Sequence, residues 1–152
     1  MGASLGSQAV ESVSGHLADR KTVLLVEDDP IYAEFVISSV REAALPFKVR
    51  HVKDLEEALA YVRGDPPFAD RVGCPMPAIV LLDLALSGTS GFPVLRWLQE
   101  NGKLQNQATR VVIMTGSDRT EDVQQALTLG ALSYLVKSPF PGSIIGLLGK
   151  FA

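Results

Sequence analysis

Four short apolar runs, each closing on a polar residue, constrain this chain more than anything else in it. Val23–Val26 leads into Glu27-Asp28-Asp29, Ala78–Leu82 into Asp83, Val111–Met114 into Thr115, and Ala131–Val136 into Lys137. The Ala78–Leu82 run is too short for an ordinary helix and suits a strand buried on both faces, and the other runs read as strands whose ends match it. Phe47–Val52 reads as a further strand. Helical segments separate these runs. Pro30 suits the first turn of a helix reaching about residue 44, with Ile31, Phe35, Ile37, Val40 and Leu45 as candidates for its buried stripe and Pro46 beyond it. Asp54 caps a second helix through about Arg63, with Glu57 at capping-box spacing. A third carries Val94, Leu95 and Leu98 on one side and stops at Asn101-Gly102. Asp118 is the expected N-cap of a fourth helix, to about Leu129, with Gly130 at its C′ position, and a short last helix starts near Ser143.

Five strands alternating with five helices argue an α/β fold, a doubly wound parallel sheet covered on both faces. Right-handed crossovers leave few topologies, and the strand order 2-1-3-4-5 places strands 1 and 3 side by side at the switch point. Ligands of such sheets bind outside the carboxyl ends of the strands. There the acidic cluster of strand 1 faces Asp83 of strand 3.

The chain has 152 residues, enough for one domain with a real core. Residues 1–20 are small and polar without sustained periodicity, and they read as a loose arm or an expression remnant. That leaves 21–152 as the folded unit, with no second domain after it. A net charge of -3 gives no electrostatic case for nucleic acid or an anionic membrane as partner. No run approaches the roughly 18 apolar residues of a membrane span, and the N-terminus does not read as a signal peptide. The single cysteine, Cys74, cannot form an internal disulfide, which fits a reducing cytoplasm, and it reads as a packing residue. It lies in a long connection, Gly64–Pro77, that holds four prolines, a length often tied to function.

Three carboxylates, Glu27, Asp28 and Asp83, cannot share one pocket uncompensated. A hard divalent cation resolves the conflict. Mg²⁺ takes oxygen ligands and pairs carboxylates with phosphoryl oxygens. Asp83 is then the candidate nucleophile, since a carboxylate can form an acyl phosphate. The Thr115 hydroxyl and the Lys137 ammonium are candidates to hold phosphoryl oxygens. Each signal is weak alone. Four strand ends that supply complementary groups make a phosphoryl-transfer set.

The same pieces resemble the receiver domain of bacterial two-component response regulators. The matching segments are Val-Leu-Leu-Val-Glu-Asp-Asp-Pro at 23–30, Leu-Leu-Asp-Leu at 81–84 with Gly88 and Gly91, Val-Ile-Met-Thr-Gly at 112–116, and Gly-Ala-Leu-Ser-Tyr-Leu-Val-Lys at 130–137. The resemblance implies that Asp83 accepts a phosphoryl group from a sensor histidine kinase or phosphotransfer protein. It implies Glu27 and Asp28 as the acidic pair, with Asp28 a direct Mg²⁺ ligand, and a backbone carbonyl of Ala85 on the metal. Tyr134 falls at the aromatic switch position coupled to Thr115, so that phosphorylation remodels the face of the fourth helix, fifth strand and fifth helix. The Pro-rich stretch at 64–77 and Val-Leu-Arg-Trp-Leu at 94–98 are similar to stand-alone receivers paired with phytochrome-type kinases, which implies a diffusible phosphoacceptor that dimerises through that face.

The sequence departs from the family pattern at several places. Ala85 replaces a more polar residue, Ser87 stands where proline is common, Gly116 follows Thr115, and Ser138 separates Lys137 from Pro139. A slowly hydrolysing acyl phosphate is expected, because Ala85 and Ser117 offer no long polar group to orient water. A phosphatase using a nucleophilic Asp would need a second Asp two residues on as general acid, and Ala85 stands there. The alternative that keeps the fold without the chemistry is a phosphorylation-independent interaction module. The expected protein is therefore a signalling phosphoacceptor rather than an enzyme acting on other substrates.

Overall fold

The computed structural model describes residues 20–116 and 120–152. The elements run β1 (Lys21–Val26), α1 (Pro30–Glu42), β2 (Phe47–Val52), α2 (Leu55–Arg63), β3 (Ile79–Asp83), β4 (Ala85–Leu86), β5 (Thr89–Ser90), α3 (Phe92–Glu100), a 3₁₀ turn at Gln105–Gln107, β6 (Arg110–Thr115), α4 (Thr120–Thr128), β7 (Ser133–Val136) and α5 (Gly142–Gly149). The main sheet has the order β2-β1-β3-β6-β7, all parallel. This is the expected 2-1-3-4-5 topology. The sequence reading missed the small antiparallel hairpin β4–β5, which lies between the third main strand and α3.

Strand alternation sorts the core into two layers. Val23, Leu25, Ile79, Leu81, Val112 and Met114 pack with Ala33, Val36 and Val40 of α1 and with Ile144 and Leu148 of α5. Leu24, Val26, Val80, Leu82, Val111 and Ile113 pack with residues of α2, α3 and α4, among them Ala58, Leu95 and Ala126. The central strands are buried on both faces, so their unbroken apolar runs follow from the helices on each side.

Local signals account for most element ends. Asp29 caps α1 by accepting from the Ile31 N–H at 2.9 Å, and Pro30 takes the first helical position. Asp54 caps α2 by accepting from the Glu57 N–H at 2.8 Å. Glu57 reaches back one residue beyond a standard capping box, to the Lys53 N–H at 3.1 Å. Helix α1 ends at Glu42, two residues short of expectation. Ala44 turns left-handed at φ 53°, and the Ala44 and Leu45 N–H groups bond back to the Arg41 and Val40 carbonyls. That is a Schellman closure with alanine in the place glycine usually takes. Pro46 favours the stop, because a residue before proline is biased away from helix. Gly130 sits at φ 108° where a C′ glycine was expected. The expected N-cap Asp118, and Ser117, lie outside the described residues, as does the N-terminal arm through residue 19.

The long connection before β3 is tied down by arginines. Arg71 donates to the carbonyls of Tyr61 and Val62 at 2.8 Å each, closing the C-terminal end of α2, and to that of Cys74 at 3.0 Å. Arg50 of β2 donates to the Gly73 carbonyl at 2.7 Å, and Tyr61 Oη donates to the Pro75 carbonyl at 3.0 Å. The length of this segment is thus accounted for by packing on α2 and β2.

Candidate functional site

Three of the candidate side chains share a face because strand parity puts them there. Leu25, Leu81 and Leu135 all pack on the α1–α5 side of the sheet. Two residues further along each chain come Glu27, Asp83 and Lys137. The three meet at the carboxyl edge. Lys137 Nζ donates to Asp83 Oδ2 at 2.7 Å and to Glu27 Oε1 at 2.9 Å. It lies 2.8 Å from Glu27 Oε2 without hydrogen-bond geometry, so that oxygen is compensated by charge alone. Asp83 is 3% exposed and Glu27 fully buried. Thr115 has the opposite parity, continuing Val111 and Ile113. It lines a cleft of about 300 Å³ with Asp83, Leu84, Ala85, Gly116, Asp122 and Val123. Its carbonyl accepts from the Lys137 N–H at 2.7 Å, which ties the ends of β6 and β7 together.

The hairpin β4–β5 holds the carboxylates from the other side. The Ala85 N–H donates to Asp83 Oδ1 at 2.9 Å. Ser87 donates to Asp28 Oδ2 twice, from its N–H at 3.1 Å and its Oγ at 2.7 Å. Ser87 and Gly88 have φ of 43° and 81°, as a type I′ hairpin turn requires. Gly91 follows the hairpin. A Cβ there would drive into the Asp83 carbonyl oxygen, so only glycine lets the chain pass so close to the strand end.

The charges are unbalanced, and the three groups respond in different directions. Burial pushes the Glu27 carboxyl up against the opposing hydrogen bond from Lys137, and the Asp83 charge adds to the rise. For Lys137, burial alone would lower the ammonium, but hydrogen bonds to Asp83 and Glu27 outweigh it and hold the group up. Hydrogen bonding from Ser87 outweighs burial at Asp28 and holds its carboxyl down.

Glu27, Asp28 and Asp83 each offer a carboxylate oxygen, and these three lie within 4.8 Å of one another. An all-oxygen donor set, a buried Glu27 oxygen without a hydrogen bond, and three carboxylates against one ammonium fit a hard divalent cation such as Mg²⁺. Ala85 stands beside the set through its N–H. Tyr134 lies apart from it on β7, paired with Ile113 and 44% exposed, on the sheet face that Thr115 shares.

Sequence reasoning gave three residues no role in the site. Ser87 belongs to a Ser-Gly dipeptide, itself a turn signal. Tyr32 of α1 places its ring 5.1 Å from Lys137 Nζ. His51, at the end of β2, sets its Nε2 2.7 Å from the Glu27 carbonyl oxygen. Neither of these last two had a local signal, because only the folded register brings them to the site.

The sequence and the fold are similar to those of known proteins. The regulatory protein FilR2 of Methanothrix harundinacea, described as a probable methanogenesis regulator, is 30% identical over 76% of this chain and 70% of its own length. In further regulatory proteins, among them the probable transcriptional regulatory protein TcrX of Mycobacterium tuberculosis, the aligned segment spans only 44% to 59% of their length. The fold superposes on the response regulator RPA3017 in red light signalling of R. palustris with a TM-score of 0.73 at 29% identity, over 86% of this chain and 90% of that one. It superposes on the bacteriophytochrome response regulator RtBRR with the same score and identity, over 88% of this chain and 78% of that one. Residues 23–147 match the response regulator receiver domain, and the chain belongs to that family.

Proposed function

We propose that this receiver is an Mg²⁺-dependent phosphoacceptor in which Asp83 takes a phosphoryl group from a phosphohistidine. The observation that carries the reading is the setting of Asp83. It is a nearly buried carboxylate at the switch point, hydrogen-bonded by Lys137 and the Ala85 N–H, and grouped with two further carboxylates. An Asp83 oxygen attacks phosphorus, the P–O bond forms as the P–N bond to the donor imidazole breaks, and the imidazole leaves with the electron pair. Lys137 already rests on Asp83 Oδ2 and moves with the charge onto a phosphoryl oxygen. Thr115, which lines the same cleft as Asp83, supplies a hydroxyl to another. Glu27, Asp28, Asp83 and the Ala85 carbonyl would hold the cation, which when bound neutralises phosphoryl charge.

The rim of the site suits a protein donor. Ile31 is 81% exposed and Phe140 74% exposed. A groove lined by Ile31, Tyr32, Phe35, Lys137 and Pro139 opens beside the catalytic lysine. We assign this rim to the kinase or phosphotransfer helix carrying the phosphohistidine, and the phytochrome-associated relatives support a phytochrome-type kinase as its source. The output follows from Thr115 and Tyr134. Drawing Thr115 toward the phosphoryl group opens space behind it that Tyr134 fills, which changes the face of α4, β7 and α5.

Intact mass after incubation with acetyl phosphate tests the reading. A gain of one phosphoryl group is expected that requires both Mg²⁺ and Asp83, with Asp83→Asn as the control. No gain, either from acetyl phosphate or from a phosphorylated kinase, would overturn it.

A further inference from the structure

We propose that Ser87 is a positioning residue that fixes the Asp28 carboxylate for the cation, a role that deepens the metal-dependent reading above and rests on it. The two residues are 59 positions apart, and both donors of Ser87 converge on the single oxygen Oδ2. With Oδ2 held, Oδ1 is the oxygen left to the cation. A carboxylate next to solvent would otherwise rotate about its side-chain torsions and lose entropy on metal binding. Hydrogen-bonded partners that orient metal-ligating carboxylates typically account for a 10- to 100-fold share of metal affinity.

The device depends on backbone as much as on the hydroxyl. Ser87 reaches Asp28 because the turn puts it at φ 43°. Proline, locked near φ −65°, cannot occupy that conformation and has no N–H to donate. The chain therefore joins its metal ligand to the loop after Asp83 through Ser87. The same hairpin holds Asp83 Oδ1 through the Ala85 N–H, so one rigid turn sets both the nucleophile and the ligand.

Ser87→Gly removes the hydroxyl and keeps the N–H, and glycine tolerates the turn, so the hairpin is preserved. Ser87→Asn is the rescue variant, since asparagine accepts left-handed backbone and its amide can donate to Oδ2. Mn²⁺ alone is the probe, titrated by electron paramagnetic resonance of the free ion, with Mg²⁺ as competitor. Ser87→Gly is expected to weaken Mn²⁺ binding about tenfold, with Ser87→Asn recovering most of the loss. The Mg²⁺ concentration for half-maximal acetyl phosphate labelling should rise by the same factor. Unchanged or tighter Mn²⁺ binding in Ser87→Gly, or no binding in the wild type, would overturn the proposal. Wild type that binds Mn²⁺ through a Ser87-dependent site yet never becomes phosphorylated would sink the phosphoacceptor reading and leave this one standing.

Discussion

Lys137 Nζ lies 2.9 Å and 2.8 Å from the two oxygens of Glu27, a carboxylate with no exposed surface. The same ammonium is 2.7 Å from Asp83 Oδ2. It is thus the counter-charge for two acidic groups, and Glu27 is held above its ordinary carboxylate value first by burial and then by the Asp83 charge. Removing one partner of a buried ion pair leaves the other uncompensated, at a cost of about 3–5 kcal/mol. Lys137→Met is therefore expected to destabilise the metal-free protein by about 3 kcal/mol in urea denaturation. Millimolar Mg²⁺ should restore part of the loss, because the cation supplies the missing charge. Equal destabilisation with and without Mg²⁺ would count against the shared site.

The site makes opposing demands on stability as pH changes. Asp28 is held below its ordinary value by Ser87, so its contribution is present above the unfolded value and lost as pH falls through the folded one. Glu27 is raised by burial, so its contribution is present below the unfolded value and lost as pH rises through the folded one. Lys137 is raised by its carboxylate partners and lends stability until pH rises through its folded value, above the ordinary lysine range. Ser87→Gly weakens the Asp28 term alone. Its acid unfolding midpoint, followed by near-ultraviolet circular dichroism, is expected at higher pH than that of the wild type.

Gly91 stands where the chain crosses the Asp83 carbonyl. An alanine Cβ would drive into that oxygen and come within 3.1 Å of Leu82 Cδ1. The strand cannot yield, because Leu82 and Asp83 are paired with Ile113 and Met114 of β6. Gly91→Ala is expected to cost about 1–3 kcal/mol and to slow phosphorylation by shifting the hairpin that holds Asp83 Oδ1. Chemical denaturation and the rate of acetyl phosphate labelling check the two effects. Wild-type stability would show that the contact relaxes freely.

Ala44 closes α1 in the left-handed region at φ 53°, which costs an L-residue with a Cβ roughly 1–2 kcal/mol. It lines a pocket with Arg20, Leu45 and Phe47 that holds none of the site residues, in a turn the Schellman bonds already define. Ala44→Gly is expected to stabilise the protein by about 1 kcal/mol, less the entropy glycine adds to the unfolded chain. A raised denaturation midpoint with unchanged phosphorylation kinetics is the expected readout.

The parallel core and its order were legible because the apolar runs of β1, β3 and β6 carry the signal of two-sided burial. Glu27, Asp28, Asp83 and Lys137 were legible as a set because each follows a short apolar strand, although β7, which leads to Lys137, is half-buried on one face and exposed on the other. Ser87 was not. Its role needs a left-handed backbone and a partner 59 residues away, and neither leaves a periodic trace. Ala44 misled for the opposite reason, since alanine is the best helix former and the stop comes from Pro46 two residues later. Tyr32 and His51 reach Lys137 and Glu27 through the packing of α1 and the register of β2, which only the fold supplies.

The last strand carries an unpartnered apolar stripe. Leu132, just before β7, and Tyr134 and Val136 within it alternate onto one face, each between 42% and 44% exposed, and Leu127 of α4 is exposed as well. Such a stripe on an edge strand marks an interaction surface. A second copy of the chain is the proposed occupant, because Tyr134 shares the sheet face of Thr115 and the stripe is where a phosphorylation signal would emerge. Sedimentation of the protein with and without beryllofluoride (a phosphoryl mimic that binds carboxylates) checks this. A shift toward dimer is expected on activation, and Tyr134→Glu should abolish it by placing a charge in the contact. Thr115→Ala should retain beryllofluoride binding while weakening the shift, since it removes the hydroxyl through which the proposed switch acts. A dimer that is indifferent to both substitutions would assign the contact elsewhere on the surface and leave β7 to a different partner.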